Sequence, residues 1–113
     1  MNWLRVVADK TDLLRHGDDP MHLRIRHLLG ERGIDVQSSL VANFMPEDQY
    51  LSSGIVATPD GRVYEFEFSY RGRPVGEGTF SAWRDLTDTF ASHPRAPSIA
   101  AALAMLQRDR VHA

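Results

Sequence analysis

Glu65 and Glu67 stand at i and i+2 in the run Val63-Tyr64-Glu65-Phe66-Glu67-Phe68-Ser69-Tyr70, where aromatic and polar residues alternate. On a strand this spacing puts both carboxylates on one face, with Cβ atoms about 7 Å apart. Glu77, expected on the following strand, would lie beside them. Carboxylates so grouped could exchange protons, hold a divalent cation or dock a basic partner. A solvated sheet face produces the same pattern. Downstream, Trp83-Arg84-Asp85-Leu86-Thr87-Asp88 places an aromatic anchor next to two acids. Read as helix, Trp83 belongs to the apolar stripe and Asp85 and Asp88 share the opposite face. They would then be either an acidic epitope or first-turn charges favoured by the helix dipole.

Other chemistries find less support. The chain has no Cys, which excludes a disulfide framework and a thiolate zinc site. His22 and His27 are five residues apart, roughly 140° around a helix, whereas a shared metal needs ligands three or four apart. A site assembled from distant residues, such as His93 with Glu65, stays open. No serine lies in a strand–Gly-x-Ser-x-Gly–helix context. The glycines form neither a Walker A nor a dinucleotide fingerprint, and Gly72-Arg73-Pro74-Val75-Gly76 reads as a turn and edge. We therefore assign no catalytic, cofactor-binding or metal-binding residue from sequence. The candidate partner-binding set is Glu65, Glu67, Glu77, Trp83, Asp85 and Asp88.

Those residues need elements to hold them. Trp3, Val6, Val7, Lys10, Leu13 and Leu14 recur at helical spacing, with Gly17 as the stop. Asp19 and Pro20 then suit the N-cap and first turn of a second helix, striped by Met21, Ile25, Leu28, Leu29 and Arg32 and ended by Gly33. Residues 36–45 fit either a helix or a strand, with strand favoured for 38–45. From Leu51 the pattern is strand, then a Pro59-Asp60-Gly61 turn, then strand to Tyr70. Arg71-Gly72-Arg73-Pro74 turns the chain again, and Val75–Phe80 returns antiparallel, with Gly76 and Gly78 marking an edge, a bulge or a close approach. Phe80, Trp83, Leu86, Thr87 and Phe90 predict a short helix capped by Ser81. Ser98 is expected to cap a last helix striped by Ile99, Ala102, Leu103 and Leu106, with Arg108, Arg110 and His112 near its C-terminal dipole. The expected fold is one α+β domain over 1–113. It is a three- to four-stranded antiparallel meander with N-terminal and C-terminal helices packed on one face.

At 113 residues, 42% hydrophobic and 25% charged, the chain matches an ordinary globular domain. A net charge of −2 offers no bulk attraction to nucleic acid or an anionic membrane. The charge is uneven: Phe44 to Tyr70 holds five acids against one Arg, a local −4. Residues 1–35 balance six bases against six acids, which disfavours DNA binding through Arg24, Arg26 and His27 on a helix-turn-helix mimic. No run approaches the ~20 apolar residues of a membrane span, and Arg5 and Asp9 interrupt any signal-like N-terminus, so the expected location is cytoplasmic. Twelve Arg against one Lys fits the codon bias of a GC-rich bacterial genome.

The segments Thr58-Pro59-Asp60-Gly61-Arg62-Val63-Tyr64-Glu65-Phe66 and Gly78-Thr79-Phe80-Ser81-Ala82-Trp83-Arg84-Asp85-Leu86-Thr87-Asp88 resemble small uncharacterised actinobacterial proteins. The resemblance spans Ala42 to Asp88 and implies no catalytic residue. Small α+β proteins of this size are often immunity or accessory proteins with one partner. The expected function is a non-enzymatic protein-binding module of that kind, with a basic protein partner. The alternatives are a small-ligand or enzymatic pocket between the aromatic sheet face and the helices, lined by Tyr64, Tyr70 and Trp83, and a weak DNA binder.

Overall fold

The computed structural model describes residues 1–112, with side chains as far as Asp109. Two helices come first. In α1 (Trp3–His16) the side chain of Asn2 accepts from the Arg5 amide, and Val7, Thr11 and Leu14 form the buried face. In α2 (Pro20–Glu31) Asp19 is the N-cap, accepting from the His22 amide at 2.9 Å, with Pro20 in the first turn as its sequence context predicts. Ile25 and Leu29 face inward, and Gly33, at φ +78°, turns the chain out of the helix.

Four strands follow: β1 (Leu40–Pro46), β2 (Leu51–Ala57), β3 (Val63–Ser69) and β4 (Thr79–Asp85). They pair antiparallel in chain order, β1-β2-β3-β4, which is the expected meander in an α+β fold. The turn between β2 and β3 closes through Gly61 N–H to the Thr58 carbonyl, and Gly61 takes the φ of +84° that favours glycine. Strand alternation sorts the core into two clusters, one on each face. Val41, Phe44, Val56, Phe66 and Phe68 meet Leu14 of α1 and Ile25 and Leu29 of α2. Leu40, Ala42, Ile55, Ala57 and Val63 meet Val7 of α1 and Ile99, Ala102 and Leu106 of α3 (Ala96–His112). The helices thus divide between the two faces, a refinement of the expectation that they share one. α1 runs along the outer edge of β1. There the buried Thr11 hydroxyl accepts from the Val41 amide at 2.8 Å, and Arg15 donates to the Val36 and Ser39 carbonyls.

Three local expectations need correction. Residues 81–91 are not a helix: β4 runs to Asp85, and only Phe90–Ser92 forms a 3-10 turn. The cause is a bulge opposite Glu67/Phe68, which brings Phe80 and Trp83 onto the same sheet face although they are three residues apart. Their spacing mimics a helical stripe. Val75–Glu77 is likewise a 3-10 turn rather than strand, so β4 begins at Thr79. Finally, neither Ser81 nor Ser98 is an N-cap. Ser81 lies in β4, and Ser98, buried in the first turn of α3, donates its hydroxyl back to the Arg95 carbonyl. Arg110 and His112, expected near the C-terminal dipole of α3, have side chains outside the described residues.

Candidate binding surface around strand β4

Strand β3 delivers Glu65 and Glu67 to the face it shares with Val63, and over β3 and β4 that face is only partly covered. The carboxylates are not a free acidic strip. Glu65 is half-buried, with 18% of its side chain exposed: Oε1 lies 3.2 Å from Arg84 and Oε2 lies 2.8 Å from His93 Nε2. Glu67 is 3.9 Å from the same Arg84, which pairs directly with Glu65 and lies diagonally across from Glu67, two residues beyond its partner Ala82. The Arg95 amide donates to His93 Nδ1 at 2.9 Å, which leaves Nε2 as the protonated nitrogen and Glu65 as its acceptor. The distant pairing of His93 with Glu65 is therefore real, but both ring nitrogens are engaged and no lone pair is left for a proton-transfer role.

Glu77 does not join them. It lies in the 3-10 turn ahead of β4, exposed and past the register that pairs Ser69 with Thr79, so a carboxylate trio does not form. Asp85 ends β4 and pairs with Arg62 across the strands. The Thr87 hydroxyl and amide, then Arg62, hold the Asp85 carboxyl below the ordinary range, while Tyr64 first and Asp85 next raise the Arg62 guanidinium. Asp88 is exposed in the turn after β4.

Trp83 lies on the other face. Its ring stacks on Tyr64 at 5.2 Å and packs against Phe80 at 5.4 Å, and the Arg32 guanidinium from the end of α2 sits 4.2 Å above it. Sequence reasoning missed Arg32 here, reading it only as part of the α2 stripe. The signal was its place one residue before Gly33, where the chain leaves α2 and side chains clear the helix end. The six candidates are thus split three ways: Glu65 and Glu67 on one face, Trp83 and Asp85 on the other, Glu77 and Asp88 beyond the two strand ends.

The pocket expected between the aromatic face and the helices is filled by Phe66 and Phe68, both fully buried. A cleft of about 320 Å³ opens instead at the rim, between the α2–β1 loop and the β2–β3 turn; Tyr64 lines it, but Tyr70 and Trp83 do not. His22 is 5% exposed, its Nδ1 2.6 Å from Asp19 Oδ2 and its Nε2 unpartnered beside Phe44. The two arginines of the DNA reading bind backbone: Arg24 donates to the Gly78 carbonyl, and Arg26 to those of Leu14 and Gly17. Among the described residues no helix is long and apolar enough to cross a membrane. No family model, curated protein or solved structure matches the chain.

Proposed function

We propose that this chain is a non-enzymatic binding module that receives an extended, basic segment of a partner protein along strand β4. One observation carries the reading: the two edges of the sheet are treated differently. The β1 edge is closed by α1, which satisfies the Val41 amide with the Thr11 hydroxyl, whereas among the described residues β4 pairs only with β3. An uncovered edge strand is a template for an added strand.

The residues around that edge fit such a guest. Trp83, stacked on Tyr64 and with Arg32 above it, combines the residue types that dominate binding energy at interfaces. Glu77 and Asp88 form no ion pair among the described residues and flank the two ends of β4, where they would meet basic residues of the guest. The paired Glu65 is set aside as a contact and assigned a structural role.

The test is affinity capture from the native host, using wild type, Trp83→Ala and the double reversal Glu77→Lys/Asp88→Lys. The proposal expects one protein held by wild type and lost by both variants, with the β4 amides protected from exchange in the purified complex. Capture that both variants retain, or a complex that leaves β4 exchange unchanged, overturns it.

A further inference from the structure

The rim cleft has a charge arrangement that the core does not require. Its walls are Arg32 and Asp35 from the α2–β1 loop, Ser38 and Ser39 just before β1, Thr58 and Asp60 of the β2–β3 turn, and Tyr64 of β3. A cation and two carboxylates therefore line one small space, yet Arg32 forms no ion pair with either acid. Its guanidinium is held instead over the rings of Trp83 and Phe80, and its side-chain N–H groups donate to no protein acceptor among the described residues.

The two acids are fixed in place. Asp35 accepts from the Gln37 amide and the Ser38 hydroxyl, and Asp60 accepts from the Thr58 hydroxyl, which holds its carboxyl below the ordinary range. Carboxylates fixed this way keep lone pairs for a ligand without having to be reordered. Ser39, in the lining of the same cleft, is 2% exposed and its hydroxyl has no partner in the protein.

Opposite charges that line one cleft without pairing with each other suit a ligand that carries both. A phosphate would meet Arg32 but also two carboxylates, and a simple amine would find no role for Arg32. A volume near 320 Å³ is at the lower end of ligand pockets, which limits the guest to a small molecule. We propose that this cleft binds a free α-amino acid, with its carboxylate on Arg32 and its ammonium group on Asp35 and Asp60. Arg32 and Tyr64 are shared with the surface proposed for the β4 guest, whereas Asp35 and Asp60 are not, so the Asp60→Asn arm below separates the two readings.

The experiment uses the full chain. Saturation-transfer NMR with each standard amino acid at millimolar concentration selects a binder, and calorimetry then compares it with its N-acetyl and C-amide forms. Blocking either end should weaken binding about tenfold or more. Arg32→Gln should abolish the preference for a free carboxylate, and Asp60→Asn, which keeps the turn chemistry, should reduce the preference for a free amine. Amide spectra of both variants check that the fold is retained. No binding by any amino acid, or binding indifferent to blocking at one end or both, overturns the proposal.

Discussion

Gly54 and Phe66 face each other across β2 and β3, and a Cβ built on Gly54 would lie 2.3 Å from Phe66 Cζ and 2.7 Å from Cε1. Contact at that distance cannot be tolerated, so Gly54→Ala must move either the ring or the strand. The ring has little freedom: Phe66 is fully buried, with Phe80 at 4.8 Å and Phe44 at 6.4 Å between centroids. Overpacking of a fixed core costs about 1–3 kcal/mol, and replacing a strand glycine returns roughly 0.5–1 kcal/mol of chain entropy. The net loss should be about 1–2 kcal/mol, or roughly 4–10 °C in Tm for a chain of this size. Urea titration followed by circular dichroism reads it directly. A double-mutant cycle with Phe66→Leu isolates the cause, because a side chain without ring atoms Cζ and Cε no longer fills the space over Gly54. The double variant should be at least ~0.5 kcal/mol more stable than the sum of the single losses. A neutral Gly54→Ala, or strict additivity in the cycle, would refute the claim that this glycine exists to seat the ring.

Two further outcomes follow from named positions. Gly30 lies on the exposed side of α2 with nothing within 4 Å of a built Cβ, so Gly30→Ala should stabilise by about 0.5–1 kcal/mol in the same titration; a loss would mean the position has a constraint its open surroundings do not reveal. Asp19 is partly desolvated, which alone would raise its pKa, but the backbone and ring bonds from His22 outweigh that and hold it below the ordinary value. A carboxylate depressed in the folded state contributes stability above its unfolded pKa of about 4 and loses it as pH falls through the folded value. Asp19→Asn keeps an N-cap acceptor but not the charge, so it should flatten the acid limb of a stability-against-pH curve. An acid limb as steep as wild type's would show that Asp19 contributes nothing to it.

The parts of the fold legible in the sequence are those where local chemistry and packing agree. Asp19-Pro20 marks a helix start because the cap and the ring constraint act within one turn, and Pro59-Asp60-Gly61 marks a hairpin because Gly61 alone takes the positive φ. The alternation of Val63 to Tyr70 similarly reveals β3. The failure at 81–91 has a different source: a bulge in β4 is decided by pairing with β3, and nothing local distinguishes a bulged strand from a helix when Phe80 and Trp83 are three residues apart. The 3-10 turn at Val75–Glu77 was missed for a related reason. Gly76 and Gly78 signalled disturbed strand, and Gly78 is indeed a close approach, with Phe68 Cζ 2.3 Å from a built Cβ, but the turn itself depends on docking against α2.

The candidate site shows where a segmental charge count stops being physical. Phe44 to Tyr70 carries a formal −4, and the natural inference is an acidic face seeking a basic partner. Charges act through space, however, and the sheet returns cations that the count assigned elsewhere. Arg84 on β4 reaches Glu65 and Glu67, His93 reaches Glu65 from the segment before α3, and Arg71 lies 3.6 Å from Asp48. Within the segment itself, Arg62 turns away to Asp85, beyond its C-terminal end. Partnered carboxylates at the surface contribute little to stability or to long-range attraction. The acids that form no ion pair among the described residues include Glu47 within that segment, Glu77 and Asp88 at the ends of β4, and Asp35 and Asp60 fixed around the rim cleft. The sequence segment was the wrong unit for this reading, because electrostatic recognition is decided by which charges remain uncompensated once the strands have paired.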